Sequence, residues 1–255
     1  MRAYRACLFD LYGTLVDIHT DETKPAFWRE IAGFYTQHGA AWEGRALREA
    51  YQALCAAQTA RLQSNDPDAL VEIDLLPVFR ALYEARGLVP EQTLLTDTAW
   101  YFRRRSTTHL RAYAGAKELL EALRGAGKTV ILLSNAQGSF TRPELERLGL
   151  TACFDRVYIS SEQGFRKPDP RFFRAPLGDL GLDPSDCLMI GNDPVCDVAG
   201  AAAVGMDAVY IRSALSPKAP AAPLCHSERS EEPASPVLSL PRMDLRRLRQ
   251  LLLRS

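Results

Sequence analysis

The sequence predicts an α/β protein built on a doubly wound parallel sheet, with an all-helical subdomain inserted after the first strand. Three observations predict it. Short apolar runs that end in polar or glycine-containing turns recur at residues 4–9, 129–133, 156–159, 187–190 and 208–211. Amphipathic segments lie between them, near 116–126, 142–148, 171–180 and 195–204. From about residue 18 to 110 the pattern changes to helical periodicity, with no convincing strand. Strands that alternate with helices form a parallel sheet covered on both faces, a Rossmann-like core.

Taken in order, residues 4–9 are short and rich in apolar and aromatic side chains, as a buried strand requires, and they run directly into Asp10. Helical blocks follow at 25–38, 45–62, 71–86 and 92–110. We assign residues 18–110 to an inserted helical subdomain, and 1–17 with 111–255 to the α/β core. Residues 213–235, rich in Pro, Ala, Ser and charge without apolar period, read as a flexible insertion in that core. A short strand at 237–240 and a basic helix at 243–253 close the chain, with Leu245, Leu248, Leu251 and Leu252 as its packing stripe.

Composition narrows the function classes. Lys plus Arg and Asp plus Glu both total 31, so nothing marks a nucleic-acid surface or a polybasic anchor. No apolar run reaches the roughly 18 residues that span a bilayer, and the N-terminus shows no leader pattern. The six cysteines lack C-x-x-C spacing, which points to free thiols and a cytoplasmic location, and the four histidines lack zinc-ligand spacing. The expected partner is a small-molecule substrate, without nucleic acid or membrane, in a monomer or homodimer.

Four segments carry candidate chemistry, each just past a predicted strand. They are Asp10-Leu11-Tyr12-Gly13-Thr14, Ser134-Asn135, Arg166-Lys167-Pro168-Asp169-Pro170, and Gly191-Asn192-Asp193-Pro194-Val195-Cys196-Asp197. Strand C-termini of an open parallel sheet share one edge, and ligands bind in the crevice there. Gly13 permits a sharp turn beside Asp10. Asp193 and Asp197, four apart, fall on one helix face. Each also has a plainer reading: Asp193 ahead of Pro194 suits a helix cap, and Asp197 suits the positive end of a helix. The run Trp100-Tyr101-Phe102-Arg103-Arg104-Arg105 reads as an aromatic packing stripe with solvated arginines before it reads as a substrate clamp.

In their order these four motifs resemble the haloacid dehalogenase-like hydrolase superfamily, in its subgroup with a helical cap inserted after the first motif. The resemblance covers nearly the whole chain except residues 213–235. It implies that Asp10 is a nucleophile forming a transient covalent ester, that Thr14 supports its loop, and that Tyr12 stands beside the reaction. Ser134 and Asn135 would hold the transferring group's oxygens, and Lys167 would neutralise charge on nucleophile and substrate. Asp10, the carbonyl of Tyr12, Asp193 and Asp197 would hold Mg2+. Coulomb's law supports a cation independently: close carboxylates repel by about 4 kcal/mol per pair at roughly 4 Å and an effective dielectric of about 20, and one lysine offsets only one of three.

The pattern departs from the phosphohydrolases at Tyr12, where they place a second Asp as acid and base. The Asp-x-Tyr-Gly-Thr form is similar instead to metal-independent 2-haloacid dehalogenases. Those carry Ser and Asn where this chain has Asn192 and Pro194, and Tyr where it has Phe173. The sequence thus favours a magnesium-dependent phosphatase of a small phosphorylated metabolite. Dehalogenation is the alternative reading, and a binding or regulatory member with weak turnover is the third.

Overall fold

The computed structural model describes residues 3–217 and 237–253. In chain order the elements are β1 (Ala6–Phe9), β2 (Val16–Thr20), α1 (Pro25–Gln37), α2 (Gly44–Asn65), α3 (Leu75–Glu84), α4 (Gln92–Ser106) and β3 (Thr107–Ala112). Then come α5 (Ala116–Gly125), β4 (Thr129–Ser134), α6 (Gly138–Arg147), β5 (Arg156–Ile159), α7 (Ser160–Gln163), α8 (Pro170–Leu180) and β6 (Cys187–Gly191). A wide π-type turn, Pro194–Ala199, leads into the short α9 (Gly200–Ala202), followed by β7 (Asp207–Ile211), β8 (Leu238–Leu240) and α10 (Leu245–Leu253).

Six strands form one parallel sheet in the order β5-β4-β1-β6-β7-β8. From β1 the chain builds outward through β4 and β5, then returns to β1's other side for β6. That reversal opens a crevice at the carboxyl end of β1, between β4 and β6. Side chains alternate across the sheet. Cys7, Phe9, Val130, Leu132, Leu188 and Ile190 pack with α5 and α10 residues such as Leu119, Leu123, Leu245 and Leu248. Ala6, Leu8, Ile131, Leu133 and Met189 pack on the opposite face with Phe172, Phe173, Leu177 and Val198. The doubly wound core predicted from the sequence is therefore present, and the leucine stripe of α10 lies against the sheet.

The helices between β2 and β3 have their own apolar cluster, which includes Phe27, Trp28, Tyr35, Phe79, Tyr83 and Phe102. Phe140 of α6 joins it, so the helical block is packed onto the core beside the strand C-termini. Two expectations are corrected here. The helix predicted over 92–110 stops at Ser106, and the stretch read as strandless holds parts of β2 and β3. These pair antiparallel, with Ile18 opposite Leu110 and His19 opposite His109. Thr107 and Thr108 are β-branched and favour extended backbone, but the ribbon is polar and half exposed, so no apolar run advertised it. Of the expected flexible insertion, residues 213–217 form an ordered turn in which Ser213 N donates to Ser216 Oγ at 3.0 Å. Residues 218–235 lie outside the described residues.

Candidate active site

Asp10 leaves β1 into the crevice, and its main-chain N–H still donates to Ile190 O of β6 at 2.9 Å. The loop behind it closes on itself: Gly13 N donates to Val16 O at 2.7 Å, and Leu15 N and Val16 N both donate to Leu11 O. Gly13 has φ +90°, and a Cβ there would lie 2.3 Å from the Asn192 amide. Glycine is thus required for both conformation and space.

Lys167 is the centre of the site. It is 2 % exposed, and its Nζ donates to Asp10 Oδ1 at 2.9 Å and to Asp197 Oδ1 at 2.7 Å. Burial works against its charge, but Asp10 and Asp197 outweigh burial and hold the ammonium well above the usual lysine range. Burial also raises Asp197 to about 6, despite Lys167. The other Asp197 oxygen accepts from Asp193 N at 2.9 Å. Asn135 clamps the lysine's backbone in both directions, accepting from Lys167 N at 2.8 Å and donating to Lys167 O at 3.0 Å.

Thr14 Oγ1 donates to Asp10 Oδ2 at 3.2 Å, so both nucleophile oxygens are held. Ser134, at the end of β4, is buried, and its Oγ has no hydrogen-bond partner among the described residues. Asp193 caps the turn it starts, with Oδ1 accepting from Val195 N at 2.8 Å and Cys196 N at 2.9 Å. The capping reading of Asp193 is met, and the residue also lines the cavity of about 170 Å³ bounded by Asp10, Tyr12, Asn135, Lys167 and Asp197. Leu215 and Pro217, from the start of the expected insertion, complete its wall.

The hydroxyl of Tyr12 points elsewhere. It donates to Glu144 Oε2 and lies 3.0 Å from Thr141 Oγ1, both on α6. Burial, then the Glu144 charge, push the phenol far above its ordinary range. Tyr12 nevertheless lines both the catalytic cavity and a neighbouring cleft of about 380 Å³, bounded by Tyr51, Glu72, Arg103, Gln137 and Phe140.

Asn192, which the sequence reading did not single out as a site residue, sits where oxygen donors of the kind a hard cation takes come together. One terminal atom of the Asn192 amide lies 3.3 Å from Asp10 Oδ2, from Thr14 Oγ1 and from the Tyr12 carbonyl. As nitrogen it donates to these oxygens. As oxygen it joins a carboxylate and a carbonyl, an arrangement that a divalent ion with oxygen ligands makes favourable. Of the expected ligands, Asp10 and the Tyr12 carbonyl thus converge with Asn192, whereas Asp197 is committed to Lys167 and Asp193 to its cap. Among the described residues, no three His, Cys, Asp or Glu side chains gather about one point. Asn192 left no signal in the sequence beyond lying in the fourth motif.

Gly191 shows how tightly Asp197 is placed. A Cβ there would lie 2.1 Å from Asp197 Oδ2 and 2.5 Å from its Cβ. Gly191→Ala should displace Asp197 from Lys167, destabilise the fold by about 1–3 kcal/mol and depress turnover. Gly178→Ala, where the added methyl meets nothing within 4 Å, should do neither. Urea melts and turnover assays of the pair check this.

Comparison with known proteins agrees with this geometry. The family model for haloacid dehalogenase-like hydrolases matches residues 4–205. A phosphoserine phosphatase of Thermus thermophilus is 36 % identical over 145 residues, and the match spans 57 % of the length of each chain. A (S)-2-haloacid dehalogenase of a Pseudomonas species is 30 % identical over 219 residues, covering 86 % of this chain and 88 % of the relative. The solved 2-haloacid dehalogenase of Pseudomonas syringae shares the fold, with a TM-score of 0.61 at 21 % identity over 98 % of this chain and 99 % of that one. A strand-end aspartate, a buried lysine between two carboxylates and a match across most of the sequence make the chain a member of the haloacid dehalogenase-like hydrolases.

Proposed function

We propose that this hydrolase is a magnesium-dependent phosphatase acting on a small phosphorylated metabolite through a phosphoryl ester on Asp10. The observation that carries the reading is the charge balance of the cavity. Asp10, Asp193 and Asp197 line it with Lys167 as their one cation among the described lining residues. In the adjoining cleft, Arg103 is spent on Glu144, its Nε donating to Oε1 at 2.6 Å, while Glu22 and Glu72 add negative charge. An anionic substrate of either class meets net repulsion there without a further cation. Asp10, the Tyr12 carbonyl and Asn192 would hold the ion, which supplies charge neutralisation when bound.

The chain's own residues perform the rest. Lys167 and Thr14 fix the two Asp10 oxygens, so the carboxylate faces substrate in one orientation. The Asp10 carboxylate attacks phosphorus, the ester oxygen leaves, and water then cleaves the acyl phosphate. Ser134, whose Oγ has no partner among the described residues, would hold a phosphate oxygen. The four helices of the block, as a cap, exclude water during the first step. No helix among the described residues is long and apolar enough to cross a membrane.

With Tyr12 tied to Glu144, Asp197 to Lys167 and Asp193 to the amides of its turn, the described residues of the cavity include no uncommitted acid to protonate the leaving group. Positioned acid–base catalysis contributes about 10²–10⁴-fold, so turnover should depend steeply on the leaving group. A nitrophenyl phosphate should react faster than phenyl phosphate, and phenyl phosphate faster than an alkyl phosphate. The test is a screen of these esters and short 2-halo acids with magnesium or with EDTA. Phosphate release that EDTA abolishes is expected. Halide release unaffected by EDTA would establish the dehalogenase reading, which Tyr12 and the long match to a haloacid dehalogenase favour.

A further inference from the structure

The contact between the helical block and the core contains a buried charged group that the reaction itself does not use. Glu144 of α6 is 1 % exposed. Its Oε1 accepts from Arg103 Nε at 2.6 Å, and its Oε2 accepts both from Arg103 Nη2 at 3.3 Å and from the Tyr12 hydroxyl. Arg103 belongs to α4, and its guanidinium lies 5.5 Å over the Tyr12 ring and 5.3 Å over the Phe140 ring. The same two helices also meet through Phe102 and Phe140, stacked at 6.2 Å, and through Arg147 at 5.6 Å over the Trp100 ring.

We infer that Glu144 is a positioning residue for the reaction at Asp10, holding the Tyr12 wall of the catalytic cavity in place while Arg103 is docked against it. The inference rests on Asp10 as the reacting group and is independent of whether the substrate is a phosphate ester or a halo acid. A carboxylate buried this deeply is stable as an anion only beside its cation. When α4 leaves α6, Glu144 loses Arg103 and must take up water or a proton. The acceptor that fixes the Tyr12 hydroxyl then changes. Tyr12 follows Asp10 by two residues, and its carbonyl lies 3.3 Å from the Asn192 amide. Release of its ring therefore loosens the nucleophile loop and opens the wall between cavity and cleft. Docking of the helical block is thereby coupled to assembly of the site.

Two variants separate this role from plain packing. Tyr12→Phe removes the hydroxyl and keeps the Arg103–Glu144 pair. The double variant Arg103→Met with Glu144→Leu replaces the pair by apolar groups, a change that often leaves stability intact, and it removes the anchor for Tyr12. Both should lower kcat by about 10²-fold, the scale of a misplaced reacting group, with KM changed far less. Neither should shift the limbs of the pH–rate profile, whereas loss of a proton donor at Tyr12 would. Hydrogen exchange of the amides of residues 11–16 should quicken in both variants while the sheet stays protected. Wild-type kcat or unchanged exchange of residues 11–16 in the double variant would overturn the inference, as would a displaced pH limb in Tyr12→Phe. If the double variant does not fold, exchange in Tyr12→Phe alone decides. A wild-type protein inert toward both substrate classes would sink the functional proposal, and the exchange measurement would still judge the coupling.

Discussion

Asp10→Asn should lower kcat by at least about 10⁴-fold, the scale of losing a covalent nucleophile, and leave the fold nearly as stable. The amide is isosteric with the carboxylate but cannot form the ester. Lys167 keeps its 2.7 Å bond to Asp197, and Thr14 keeps its place in the loop. The amide oxygen remains an acceptor for Nζ, so the stability change should stay near about 1 kcal/mol. Phosphate release under saturating substrate, with a urea melt on the same preparation, checks both halves. A loss in kcat accompanied by a large loss in stability would mean that Asp10 serves the fold rather than the reaction.

Lys167→Met should be the more damaging substitution for the molecule as a whole. It leaves Asp10 and Asp197, now bonded to the same ammonium, as neighbouring buried carboxylates without a cation. Removing one partner of a buried ion pair costs about 3–5 kcal/mol. Losing a fixed cation at the reacting group costs on the order of 10²–10³-fold in kcat. The stability loss should depend on pH with a definite sign. Burial already raises Asp197 from 3.8 to about 6, and removal of Lys167 raises it further. The folded state then holds a proton that the unfolded chain releases, so stability falls as pH rises from the unfolded value through the folded one. Urea midpoints should show a smaller deficit at pH 5 than at pH 8. A deficit that is equal at both values would contradict the coupling of Asp197 to Lys167.

The parts of this architecture that follow from period and strand-end chemistry were legible in the sequence. Residues 6–9, 129–134 and 187–191 are apolar runs bounded by Asp10, Asn135 and Asn192, and a parallel sheet puts those boundaries on one edge. Lys167 was legible for its place in Lys-Pro-Asp-Pro, though not for the company it keeps between Asp10 and Asp197. The β2–β3 ribbon was hidden because its strands are short, polar and half exposed, and Ile18 and Leu110 alone set no period. Glu144 and Arg103 sit on helices whose exposed neighbours carry the same residue types. Nothing local distinguishes a glutamate that is 1 % exposed from a solvated one. Asn192 was hidden for a related reason. Its part depends on which way one amide faces three oxygens of a single loop 178 and more residues away.

Acid quenching during turnover, followed by borohydride reduction and peptide mapping, tests the nucleophile most directly. A carboxylate side chain activated as an acyl phosphate is reduced to the alcohol, while free carboxylates are left unchanged. The predicted result is homoserine at position 10 in wild-type protein quenched with substrate, and none in Asp10→Asn. Turnover with every aspartate intact, or conversion at Asp193 or Asp197 instead, would contradict the assignment of Asp10 as the group that forms the covalent bond.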